Sequence, residues 1–160
     1  MAKLKETRIG QKSPDQVYDE LVTEGAYEEA NLDLEELAKM FDLASADYEF
    51  GKRLRSIQNP SWRVIFNIHY DVIRELCDIL IKFKKQKISN HQGLFAFIIL
   101  NYPELELNWA FLEDIRTLRN RNKYVGIDIT QEHWKKSEFE IDLNVSALLN
   151  EIKRLMLNQG

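Results

Sequence analysis

The chain has one cysteine, three prolines and six glycines among 160 residues. A single thiol excludes an intramolecular disulfide, and a reducing interior suits such a chain. Cys77 lies in the apolar run Leu76-Cys77-Asp78-Ile79-Leu80, which predicts a buried packing thiol rather than a reactive one. No stretch approaches the roughly 18 uncharged apolar residues of a membrane-crossing helix. The opening Met1-Ala2-Lys3-Leu4-Lys5-Glu6 lacks the apolar core of a secretory leader. The expected location is therefore cytoplasmic, without membrane attachment. Metal-ligand clusters, phosphate-cradling glycine motifs and Gly-x-Ser-x-Gly elbows are missing, so no metal or cofactor is expected. An excess of positive charge is missing too. The net charge is −4 and the pI near 5.5, which excludes a broad nucleic-acid-coating surface but leaves room for one small basic site.

What is present is 44% hydrophobic residues with 11% aromatics, enough for one sizeable core. Residues 1–12 read as a tail. Ser13-Pro14-Asp15-Gln16 reads as a capping box with proline at the first helical position, followed by Val17, Tyr18, Leu21 and Val22 and a stop near Gly25. A second helix is expected over 33–57, with Leu37, Met40, Phe41, Ala44, Tyr48 and Leu54 in one stripe. Asn59-Pro60 is expected to cap and start the most apolar helix, 60–86, which should sit centrally. Ser89-Asn90-His91-Gln92 predicts a second capping box, opening a helix at 93–101. A further helix is expected over 107–125, ended by a left-handed Gly126. Thr130 should cap a last helix to about Asn158, with Phe139, Leu148, Ile152, Leu155 and Met156 inward. The fold class is all-α: an up-and-down bundle of four to five helices over 32–158, with a short helical extension in 1–31.

Within that pattern 116–123 stands out. Arg116, Arg119, Arg121 and Lys123 place four positive charges in eight positions with no acidic residue between them. By contrast, 14–58 carries twelve acidic side chains against four basic ones. At about 100° per residue, Arg116, Asn120, Lys123 and Tyr124 share a broad face with Arg119 at its edge. A guanidinium fork suits phosphate oxygens, and a tyrosine can stack on a base. A solvated helix end complementing the dipole explains the charges well and the paired asparagines, indifferent helix formers, less well. Of the three histidines, His69 reads as a core or interface residue, His91 as a capping residue and His133 as surface.

The string Leu118-Arg119-Asn120-Arg121-Asn122-Lys123-Tyr124-Val125-Gly126 resembles the signature of HEPN domains, helical proteins of prokaryotic toxin–antitoxin and defence systems. Their motif is an Arg, usually followed by Asn, then a few variable residues and a His, or a Tyr in several subfamilies. Asn67-Ile68-His69-Tyr70, leading into 76–80, resembles the family's second helix. Ser89-Asn90-His91 resembles the start of its third, and 44–48 with Trp62 its first helix and turn. The resemblance implies a homodimer with the motifs facing a shared cleft. In the nuclease branch it implies metal-independent RNA cleavage, with Arg119 on the scissile phosphate and Asn120 orienting the site. Tyr124 stands where the active motif has histidine, and a phenol of pKa about 10 is a poor base at neutral pH. Two expectations follow. One is a dimeric module paired with a small nucleotidyltransferase, for which Tyr124 is a modification target. The other is an endoribonuclease with Arg119, Asn120 and Tyr124 as catalytic residues and Arg116, Arg121 and Lys123 binding RNA.

Overall fold

The computed structural model describes residues 10–159, which form six α-helices and one minimal two-stranded ribbon. Most of the expected tail therefore lies outside the described residues. Its end is anchored, because the Lys12 carbonyl accepts a 3.0 Å hydrogen bond from the Trp109 indole. Helix α1 (Pro14–Thr23) begins with the reciprocal Ser13–Gln16 capping box and packs against α4. Helix α2 (Leu34–Leu54) is capped by Asp33. Helix α3 (Trp62–Phe83) starts two residues later than Asn59-Pro60 suggested. Asn59 adopts φ of 52°, a left-handed conformation that asparagine tolerates, and turns the chain. Ser61 Oγ then accepts from the Val64 N–H and becomes the cap.

Helix α4 (His91–Asn101) starts two residues earlier than expected. The cap is Asn90, whose Oδ1 accepts from the Gly93 N–H, so no Ser89 box forms. Between α3 and α4, strand β2 (Gln86–Lys87) pairs antiparallel with β1 (Glu28–Glu29). A 3₁₀ turn over Pro103–Leu105 leads to α5 (Trp109–Asn120), capped by Asn108. The expected single helix over 107–125 is interrupted. After Asn120 the backbone widens into one π-helical turn, Arg121–Val125, which Gly126 ends at φ of 76°. Helix α6 (Gln131–Gln159) opens with Thr130 Oγ1 accepting from the His133 N–H while His133 Nδ1 accepts from the Thr130 N–H.

Helix α3 forms the axis, with α2 and α6 packed along it and α4 against its flank. Ile65, Phe66, Tyr70, Ile73, Leu76, Ile79 and Leu80 are all buried. Residues 93–99 of α4 are buried without exception, because α1, α3 and α5 enclose that helix. Gly93 allows the close approach of α1: a Cβ there would collide with Leu21 and Ile88 side chains. On α6, Phe139 does not face inward as expected; it is 76% exposed. The buried stripe is Trp134, Ile141, Val145, Leu148 and Ile152, and 139 falls on the opposite side of that period. Cys77 is fully buried, and burial pushes its thiol well up, so it is a packing residue.

A partly buried polar network fastens α2, α3 and α6. Arg55 binds Asp142 through two hydrogen bonds of 2.9 and 2.7 Å, and Tyr48 donates to the same carboxylate at 2.8 Å. His69, wholly buried, lies 2.7 Å from the Ile65 carbonyl through Nδ1 and 2.7 Å from Arg55 through Nε2. The carbonyl can only accept and the guanidinium can only donate. His69 is therefore neutral with its proton on Nδ1.

Candidate functional site

The polar string sits where α5 runs out beside the middle of α3 and the first turn of α4. Arg119 is the hinge of this region. Its guanidinium lies 5.0 Å over the Tyr70 ring and 3.7 Å from the Asp71 carboxylate, with 13% of the side chain exposed. It walls two clefts at once. The larger, about 670 Å³, is lined by Arg63, Asn67, Asp71, Lys123 and Asp128 as well as Arg119. The smaller, about 310 Å³, is lined by His91, Gln92, Arg116, Asn120 and Tyr124 together with Arg119.

The expected site residues thus divide. Arg116, Arg119, Asn120 and Tyr124 come together on the smaller cleft. Lys123 faces the larger one, and Arg121 is exposed and lines neither of these two. Of the face expected from α-helical spacing, Arg116, Asn120 and Tyr124 stay together and only Lys123, inside the wide turn, departs to the other cleft. Arg116 is also not free for phosphate. Its Nε and a terminal nitrogen each donate at 2.9 Å to Glu113, a carboxylate whose side chain is only 4% exposed, and Gln92 donates to the same group at 2.9 Å. No acid lies within 116–123, yet Glu113 and Asp71 neutralise part of that charge from one turn back and from the neighbouring helix. The spacing of Glu113 three residues before Arg116 is a legible helical pair. Asp71 carries no signal linking it to Arg119.

The turn itself is lashed down by two asparagines. Asn122 Nδ2 donates to the Ile127 carbonyl at 2.7 Å, which leaves its Oδ1 to accept from Asn67 Nδ2 at 3.3 Å. That chain fixes the orientation of both amides. It also leaves Asn67 Oδ1 buried without a partner among the described residues. Tyr124 is 73% exposed and Val125 71%, and Lys123 stands 5.9 Å from the Tyr124 ring.

His91 was not promoted by its sequence context. It does not cap α4 but occupies its first position, and its Nδ1 lies 3.0 Å from the Tyr70 hydroxyl. Burial, then the charges of Arg74, Arg119, Arg116 and Lys123, lower its pKa to about 4, so the ring is neutral at physiological pH. His69 takes its place in the core network, far from being a cleft residue. Among the described residues no three His, Cys, Asp or Glu side chains gather to hold a metal ion, and no helix is long and apolar enough to cross a membrane. Comparison of the chain with protein-family models, with curated proteins and with solved structures yields no match.

Proposed function

We propose that this chain is a HEPN-like module of a prokaryotic two-component system, acting as a homodimer and paired with a small nucleotidyltransferase for which Tyr124 is the acceptor. The observation that carries this reading is the presentation of Tyr124. It projects from a π-helical turn with most of its surface open, beside an equally open Val125. A phenol so placed is accessible to a partner's active site, and wide helical turns recur at functional sites. The two clefts beside it supply cations for the phosphate of an incoming nucleotide. Where a nucleotidyltransferase is encoded beside it, incubation with that enzyme and ATP should add nucleotidyl mass to the wild type and none to Tyr124→Phe. An unchanged mass for the wild type, together with no complex by size-exclusion chromatography, would overturn the proposal.

A second reading has its own support. Arg119, Asn120 and Tyr124 share one cleft, as a metal-independent endoribonuclease requires of its phosphate-binding and positioning groups. Purified protein in EDTA, incubated with RNA beside Arg119→Ala and Tyr124→Phe, tests it. Absence of cleavage by the wild type would sink this reading, and cleavage that survives Arg119→Ala would remove the site from this cleft.

A further inference from the structure

The smaller cleft is walled by hydrogen-bond donors from two helices. Arg119, Asn120 and Tyr124 come from α5 and its wide turn, His91 and Gln92 from the first turn of α4. No carboxylate lines it, whereas Asp71 and Asp128 line the larger cleft. At the start of α4, the Asn90 cap takes the Gly93 N–H and leaves those of His91 and Gln92 without an intrahelical acceptor. The character of the pocket then turns on whether His91 offers it a proton or a lone pair.

Tyr70 decides that question. Its side chain is fully buried, and burial keeps the phenol protonated against the pull of Arg119, Arg116 and Arg74. The hydroxyl's hydrogen-bond contact is His91 Nδ1 at 3.0 Å. A buried O–H without an acceptor costs about 1–3 kcal/mol. The phenol therefore donates, Nδ1 accepts, and the single proton of the neutral imidazole sits on Nε2.

We propose that His91, held in the Nε2–H tautomer by Tyr70, joins Arg119 and Asn120 in an oxyanion pocket that takes one phosphate group, either free or within a nucleic-acid strand. The volume, about 310 Å³, suits a tetrahedral anion with part of its ester. The lining of donors without a carboxylate suits its oxygens. His91 acts here as a positioning donor. Because its second ring nitrogen carries the proton and its first is taken by Tyr70, it does not stand in for the base that the histidine of the nuclease motif would provide. The inference rests on reading this cleft as the functional site, but it makes a claim about binding that is separable from modification or cleavage.

Long-range proton–nitrogen NMR spectra of the full chain report the tautomer directly, and the wild type should show Nε2–H. Inorganic phosphate and the dinucleotide ApA serve as probes. Binding should shift the His91 ring resonances and raise its pKa, since an anion beside it favours the imidazolium. His91→Leu should weaken binding about tenfold, the worth of one charge-assisted hydrogen bond. His91→Gln, which keeps an N–H at that reach, should recover most of the loss. Tyr70→Phe should release the tautomer and weaken binding several-fold. Binding of phosphate alone would assign the pocket to a free anion and binding of ApA to a strand, and either supports it. An Nδ1–H tautomer in the wild type, or unchanged affinity in His91→Leu, would overturn the inference. If phosphate binds as described while neither Tyr124 modification nor RNA cleavage occurs, the pocket stands and the functional reading falls.

Discussion

Two charges of the same sign, five residues from each other in sequence, have opposite roles. Arg116 is held by the buried carboxylate of Glu113, whereas Arg121 is exposed with no ion pair among the described residues. Removing one partner of a buried pair leaves an uncompensated charge. Arg116→Ala should therefore lower unfolding free energy by about 2–3 kcal/mol in urea titrations, and Arg121→Ala should leave it within about 0.5 kcal/mol. Equal effects would refute the division. His69 yields a second residue-scale expectation. Its pKa is lowered to about 4, by burial first, against an ordinary value of 6.5. The unfolded chain takes up the proton first as pH falls, so the stability held by neutral His69 is complete above pH 6.5 and is lost between about 6.5 and 4. The loss should be on the order of 3 kcal/mol. Below that window, protonation of Asp142 continues the loss: burial raises its pKa, but hydrogen bonds from Arg55 and Tyr48 outweigh that and hold it below 3.8. Denaturation curves at pH 7 and pH 4.5 for wild type and His69→Gln isolate the first effect, because the variant should lose less stability between the two.

At the scale of the element, glycine and asparagine positions carry the sharpest consequences. Gly51 lies inside α2, where alanine would ordinarily stabilise a helix by about 1 kcal/mol. Here an added Cβ would stand 2.7 Å from His69 Cε1 and 3.1 Å from Ile68 Cγ2. The ring is locked at both nitrogens and cannot retreat. Gly51→Ala should be destabilising by about 1–3 kcal/mol, and a raised melting temperature would contradict the packing. The same elements show what was legible beforehand. Helix existence and order followed from apolar spacing, because a period of 3.6 survives whatever packs against it. Boundaries followed only where one capping residue was available. At Ser13 the sequence offered one choice, and the structure uses it. At Asn59/Ser61 and Ser89/Asn90 two good caps compete, and backbone geometry outside any local pattern selects the second. Phe139 is large and apolar, but its phase on α6 places it outside, and phase decides. In the site, Arg119, Asn120 and Tyr124 were visible as a string, but Tyr70, Asp71 and His91 reach it from other helices, and no sequence spacing encodes that convergence.

Across the whole molecule the charge distribution bears on any strand the protein meets. The acidic half of the sequence and the basic string are not simply opposed poles, since Asp71 and Glu113 reach into the basic region. With Arg116 tied up, Arg119, Arg121 and Lys123 remain for phosphates. Single-stranded RNA should then bind with log K falling against log salt at a slope of about −2, from three contacts at roughly 0.7 each. Fluorescence anisotropy of a labelled strand over a salt series measures this. A slope of about −3 would mean that Glu113 releases Arg116 on binding as a fourth contact.

The five-residue turn after Asn120 holds one residue more than an α-helix would use to cover the same rise. Such a surplus is a frame-shift in three dimensions. Every side chain before it keeps its bearing and every one after it is rotated by roughly 100°. Removing Lys123 would let the chain close into regular helix up to Gly126, a better helix by hydrogen bonding. Tyr124 and Val125 would then swing to bearings the wild type never shows. A shortened chain of this kind should melt at or above the wild-type temperature while losing every activity that depends on Tyr124. In that sense the bearing of Tyr124 is set by a helix one residue out of step.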